Sequence, residues 1–269
     1  MPADQTEVNR QIRVVMFGSG PELNHDTKQF LCRLEEHPEI EFLGAFCQAQ
    51  SQSVWAVFLD LWRRRGGLAF PLFVITVFGK IMRFLLHPRE ETALQKRLEK
   101  ISDRIHFVID IHDEKVLNHV HALNPDLGLI YGSPILKPEL FEIPELGTLG
   151  IHHGKVPEYR GNKTTFWAMY NGESVAGVTI QKVNQGLDTG SIVKTGEVMA
   201  QGRSYQTVVQ ELETLGLDLF LQAILDVKQG TAEYKPQIGN KGKLYRNPKP
   251  GDFLRFWSRQ ILRQAGILK

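Results

Sequence analysis

Cysteine is nearly absent: Cys32 and Cys47 are the only two in 269 residues. That argues against a disulfide framework or a cysteine-built zinc site and suits a reducing compartment. Neither sign of charge dominates. Lys and Arg number 32 against 30 Asp and Glu, a net +2, so bulk charge does not drive nucleic-acid binding. The polar start MPADQTEVNRQ lacks an apolar h-region, so no signal peptide is expected and the expected address is the cytoplasm. The charge-free stretch GGLAFPLFVITVFG, Gly66 to Gly79, is 14 residues long, short of the roughly 20 that span a bilayer. No internal repeat or low-complexity tract is present. The opening turn Gly18-Ser19-Gly20 lacks the rest of G-x-G-x-x-G, which rejects a dinucleotide fingerprint.

What remains is an ordinary globular composition, 42% apolar and 23% charged, long enough for one large domain or two modest ones. Arg13 to Gly18 reads as a buried strand, Leu23 to Glu36 as a helix and Ile40 to Phe46 as a second strand. Residues 51–100 interrupt the alternation and end in a charged helix, Arg89 to Lys100. The rhythm resumes with a strand His106 to Ile111, a helix Asp113 to Leu123 stopped by Asn124-Pro125-Asp126, and strands at Leu127 to Tyr131 and Thr148 to His152. Strands at Gly177 to Val183 and Ile192 to Met199 and a helix Gln206 to Val227 follow. Such alternation predicts an α/β fold with a mostly parallel, Rossmann-like sheet. Ligands in such sheets sit beyond the carboxyl ends of the strands, which puts Gly132-Ser133-Pro134 and the residues after Leu149 on one rim.

Chemistry concentrates between Leu149 and Gly190. His152 stands where a strand opens onto the rim, a place for a general acid or base that titrates near neutral pH. Asp188 lies in a Gly-flanked turn after the next strand. A carboxylate there fixes the imidazole in one tautomer and is expected to raise its pKa, keeping it cationic. Each residue also has a plainer role. Asp188 suits turn chemistry, Arg160 a surface ion pair or a bidentate anion contact, and His153 a loop hydrogen bond. His119 and His121 do not share a helix face, so no metal site is expected.

The loop Pro157-Glu158-Tyr159-Arg160-Gly161, the strand Gly177-Val178-Thr179-Ile180 and the turn Gly186-Leu187-Asp188-Thr189-Gly190 together resemble the folate-dependent formyltransferases, which act on methionyl-tRNA, glycinamide ribonucleotide or sugars. The resemblance covers residues 12–46 and 105–238. It implies the formyltransferase fold, with 10-formyltetrahydrofolate as donor and an amine as acceptor. It places His152 at the family's catalytic histidine, stabilising the oxyanion, and Asp188 at its catalytic aspartate. It further implies that folate lies against Pro134, Ile135 and Leu136 and against the loop of Val183, Gln185, Gly186 and Leu187. Tyr159, Arg160 and Lys163 are the candidate substrate contacts. The family's asparagine falls on Gly150, and His153-Gly154 replace its Pro-Ser. An absent oxyanion donor costs about 10²–10³ in kcat. Either His153 or a water replaces the amide, or the site has turned to binding alone or to formyl hydrolysis.

The expected organisation is a catalytic domain over 12–238, carrying an apolar helical insertion at 51–100, then a basic aromatic tail over 239–269 ending in a helix. The insertion has three readings: a helical subdomain packed on the sheet, an interfacial segment over 54–86 for peripheral membrane contact, or a homodimer contact. After Ile238 there is no room for a separate C-terminal barrel, which argues against initiator tRNA. The expected acceptor is a small amine on an amino sugar or nucleotide-linked amino sugar, with no nucleic acid.

Overall fold

A computed structural model describes residues 10–20, 23–49, 88–238 and 242–264. A seven-stranded sheet runs through its centre in the order β3-β2-β1-β4-β5-β7-β8. The strands are β1 Ile12–Ser19, β2 Ile40–Gln48, β3 Ile105–Val108, β4 Leu127–Ile130, β5 Thr148–His152, β7 Val175–Lys182 and β8 Ile192–Met199. β1 to β5 pair in parallel, and β7 and β8 are antiparallel additions. The α/β, mostly parallel expectation holds. β3 is shorter than predicted: the chain bends at Ile109, and Asp113 caps the next helix by accepting from the Lys115 N–H at 2.9 Å.

The helices are α1 His25–Glu36, α2 Pro88–Glu99, α3 Glu114–Leu123, α4 Pro138–Phe141, α5 Thr164–Asn171, α6 Tyr205–Lys228 and α7 Pro250–Gln264. Period-two burial along β1 explains the two layers. Val14 and Met16 join Phe30, Leu34, Phe220 and Ile224 on the α1/α6 face. Val15 and Phe17 join Val116, Val120, Leu140 and Phe141 on the other. Asn24 starts α1 by accepting the Thr27 N–H at 2.7 Å. Asn124, in the left-handed region with φ 47°, ends α3, and the Arg13 guanidinium takes the free carbonyls of Leu123 and Asn124 at 2.7 and 2.6 Å.

Residues 242–264, within the stretch read as a basic aromatic tail over 239–269, pack against the rest of the described residues. A short strand β6 (Tyr159–Gly161) pairs in parallel with β9 (Lys243–Tyr245). Phe256 of α7 is buried in the same cluster as Phe166, Val208 and Leu212. Two aromatic residues of this stretch belong to the core: Tyr245 stacks on Tyr159 at 5.1 Å and Phe256 packs on Phe166 at 4.8 Å, while Trp257 stays exposed. Of the 51–100 insertion, only its end is described: Leu94 and Leu98 of α2 are buried in the α1/α6 cluster. The apolar stretch and the proposed interfacial span 54–86 lie outside the described residues. Among the described residues no helix is long and apolar enough to cross a membrane.

Candidate active site

The strand order reverses between β1 and β4, where a parallel sheet leaves a crevice at its carboxyl edge. A cavity of about 560 Å³ opens there, a size suited to a small-molecule ligand. One end is walled by Gly132 to Leu136 and by Val183 to Asp188; the other by Asn24, Tyr131, Lys163, Tyr205, Val209 and Glu213. His152 and His153 stand between the two ends. Gly18 and Gly20 do not line it.

His152 is buried, 8% exposed. Its Nε2 lies 2.7 Å from the Tyr159 carbonyl. A carbonyl only accepts, so Nε2 carries the proton of the neutral ring, and Nδ1 is the nitrogen left for chemistry. Nδ1 faces Asp188 Oδ1 at 3.5 Å. Burial lowers the His152 pKa below the ordinary value, and the opposing pull of Asp188 and of the Tyr159 carbonyl does not make up the difference. The expectation that Asp188 raises this pKa and keeps the imidazole cationic is corrected: desolvation outweighs the carboxylate. Gly154 makes the Tyr159 contact feasible. A Cβ there would sit 2.4 Å from His152 Nε2 and 2.5 Å from the Tyr159 oxygen.

Asp188 occupies the left-handed region, φ 52°, a conformation Asp tolerates in turns. Its Oδ2 accepts the Gly161 N–H at 2.8 Å and its Oδ1 the Gln181 amide at 3.3 Å. Gln237 ties the turn down from outside, its Nε2 donating to the carbonyls of Asp188 and Gly190 at 3.1 and 2.8 Å. The carboxylate is thus held by donors from β6 and β7 and aimed at one imidazole nitrogen.

His153 follows the alternation of the strand and projects to the opposite face. Its Nε2 is buried beside Glu213 Oε2 at 3.1 Å, misaligned for a hydrogen bond. The Tyr131 hydroxyl donates to the same Oε2 at 2.8 Å. Burial works to raise the Glu213 pKa, but His153 and the Tyr131 hydroxyl outweigh it and hold the carboxyl below its usual range. Thr164 and Thr165 of α5 anchor the His153 carbonyl. Gly216 of α6 makes room for Ile151: a Cβ there would lie 2.7 Å from Ile151 Cδ1, but at an ordinary 3.8 Å from His153 Nε2.

The structure brings together most of the residues marked in the sequence. His152, His153, Asp188, Pro134, Ile135, Leu136, Val183, Gln185, Gly186, Leu187 and Lys163 all line the cavity. Tyr159 and Arg160 do not. The Tyr159 hydroxyl donates to Glu173 at 2.7 Å, away from the site, and it serves His152 through its backbone. Arg160 Nε donates to the Leu187 carbonyl at 3.1 Å, bracing the turn that carries Asp188. His153 does not replace the missing amide. Gly150 shares the His152 face, where its added Cβ would meet Val183 Cγ2 at 3.4 Å and Ile130 Cβ at 3.6 Å, while His153 points at α6. Tyr131, Glu213, Gln181 and Gln237 were not marked, because none lies in a motif and each reaches the site only through folding.

Fold and site together resemble those of the formyltransferases, and the comparisons point the same way. Residues 99–224 match the family model described as formyl transferase. Methionyl-tRNA formyltransferase of Thermodesulfovibrio yellowstonii is 33% identical over 130 residues, 47% of this chain and 42% of that protein. The chain spans about half the length, or less, of the curated relatives it matches first. A sugar N-formyltransferase from Shewanella sp FDAARGOS_354 shares the fold with a TM-score of 0.56 at 14% identity, over 91% of this chain and 86% of that one. HypX from Aquifex aeolicus in complex with tetrahydrofolic acid gives 0.53 at 13%, over 91% and 34%. The resemblance to the folate-dependent formyltransferases carried by the motifs is borne out by the match and the shared fold.

Proposed function

We propose that the chain transfers a formyl group from 10-formyltetrahydrofolate to the primary amine of a small acceptor, an amino sugar or nucleotide-linked amino sugar. The observation that carries this reading is the His152–Asp188 pair, set between the two ends of one cavity at the sheet's carboxyl edge.

The residues present fit the donor. Ile135 and Leu187 are apolar yet 76% and 43% exposed, bare side chains on the two loops that a flat heteroaromatic ring would cover. Gly132 to Leu136 and Val183 to Leu187 would hold it, and it supplies the formyl carbon. The acceptor amine then approaches from the Tyr131–Glu213 end. His152 Nδ1 takes the proton that the amine gives up as it attacks, and Asp188 at 3.5 Å stabilises the imidazolium so formed. The same proton returns to the leaving nitrogen. Lys163 lines the acceptor end and offers a cation to a phosphate there.

A second reading has support in the relatives' printed name, methionyl-tRNA formyltransferase, and makes the acceptor the amino group of an aminoacyl-tRNA. The test is release of tetrahydrofolate from 10-formyltetrahydrofolate with amino sugars, nucleotide-linked amino sugars and methionyl-tRNA in parallel. Release dependent on an amino sugar and lost in His152→Ala supports the reading. Release dependent on methionyl-tRNA alone transfers it to the second acceptor, release with formate and no amine makes the chain a hydrolase, and folate binding without release makes it a binding protein.

A further inference from the structure

Outside the His152–Asp188 pair, the cavity holds one further ionisable cluster that the reaction above does not use. Glu213 projects from the middle of α6, a helix otherwise buried through Leu212, Gly216, Leu217 and Phe220. Its Oε2 receives the Tyr131 hydroxyl and faces His153 Nε2, while among the described residues Oε1 accepts no hydrogen bond. A carboxylate kept charged and partly desolvated at the wall of a cavity is costly unless something pairs with it. The misaligned imidazole, whose Nε2 is itself buried without a hydrogen-bond partner, and the Lys163 ammonium, which acts on Glu213 without forming an ion pair among the described residues, do so incompletely.

We infer that Glu213 and His153 form an ammonium seat at the acceptor end, so that the acceptor enters as a cationic primary amine and leaves its first proton there. This rests on the transferase reading, and it divides the two protons of the reaction between the Glu213 carboxylate and His152. A protonated amine must lose one proton before its nitrogen is nucleophilic. That proton passes from the ammonium to Glu213 Oε1, which accepts no hydrogen bond among the described residues, and on to water in the cavity. The neutral amine then attacks: the bond from its nitrogen to the formyl carbon forms and the bond from that carbon to N10 of the folate breaks. The second proton travels from the amine through His152 Nδ1 to N10. The products are the formamide, tetrahydrofolate and one proton released. Tyr131 is a positioning residue. Burial and the neighbouring Glu213 raise its pKa, so its hydroxyl stays a donor and fixes the carboxylate's orientation.

The test titrates tetrahydrofolate-loaded protein with glucosamine, methylamine and glycinamide, each beside its N-acetylated counterpart, by calorimetry at pH 7.5. At least one free amine is expected to bind about tenfold or more tightly than its neutral counterpart, a charge-assisted contact's worth, and Glu213→Gln is expected to abolish that preference. Gln keeps the acceptor for Tyr131 and so preserves the local packing. Tetrahydrofolate affinity is expected to change less than about twofold in this variant, since Glu213 lies at the other end of the cavity. In turnover assays with any acceptor that reacts, Glu213→Gln is expected to raise KM. No preference for a cation in the wild-type protein, or a preference that survives Glu213→Gln, overturns the seat. Amine-dependent turnover with an unmoved KM in Glu213→Gln overturns it while leaving the transferase standing. Cation binding through Glu213 without formyl transfer to any amine does the reverse.

Discussion

His152 and His153 are neighbours in sequence and opposites in environment. The first donates to a backbone carbonyl and faces an aspartate held by three further groups. The second sits against α6 with its Nε2 unsatisfied beside a glutamate. One strand end thus presents two imidazoles to one cavity from its two faces, because alternate residues of a strand point to opposite sides. The lesson is that a repeated residue type is not a repeated role. The His152 side is built from the chain's motif loops, and the His153 side from a helix that carries no motif.

The strongest way to break this contrast is to remove the first ring. His152→Ala is expected to lower formyl transfer by about 10²–10⁴, the usual contribution of a positioned acid–base group, with tetrahydrofolate binding intact. An equal loss of binding would make the ring a folate contact instead. Phe166→Ala tests whether the C-terminal segment belongs to the catalytic unit. The ring is 1% exposed and packs on Phe253 and Phe256 of α7, so a loss of about 3–5 kcal/mol in denaturant unfolding is expected. Gly154→Ala, whose new methyl collides with both partners of the His152–Tyr159 contact, is expected to cost about 1–3 kcal/mol and to lower kcat more than it changes KM. Gly150→Asn sharpens the comparison from the other side. Its Cβ meets only ordinary contacts at 3.4 and 3.6 Å, so stability is expected to stay within about 1 kcal/mol, and kcat to rise as an amide enters beside His152.

The smallest effect is in the pH dependence of stability. His152 has a folded-state pKa below its unfolded value near 6.5, so below that value the unfolded chain binds more protons than the folded one. Stability is expected to be flat with respect to this group above about pH 6.5 and to fall as the pH drops from there toward the lowered pKa. Melting scans from pH 7.5 to 5 should show a shallower decline in His152→Gln, and an unchanged decline would remove His152 from the titration.

Much of the fold was legible in the chain. β-branched runs such as Arg13 to Gly18, helix stops such as Asn124-Pro125-Asp126 and the periodic α6 each declare themselves locally. Much of the site was legible too, since the loops around Pro134, Tyr159 and Asp188 are continuous segments with distinctive turn residues. The pKa direction of His152 was not, because it depends on how much water the fold removes, and a nearby carboxylate predicts only the sign of its own contribution. The sequence left Arg160 open between a surface ion pair and an anion contact; that its Nε braces the Leu187 carbonyl depends on the distance between two loops.

By itself, then, the sequence determined an α/β sheet, the edge of it that carries chemistry, and the residue types available there. Tertiary structure alone decided that Glu213, 25 residues beyond Asp188 in the chain, closes the cavity opposite it, and that Gln237 clamps the catalytic turn. It also decided that Tyr245 and Phe256, near the basic aromatic end of the chain, join the core. The reason is physical: periodicity and turn chemistry are encoded within a few residues. Burial, ion pairing and the faces presented to a cavity arise only when segments distant in sequence are packed together.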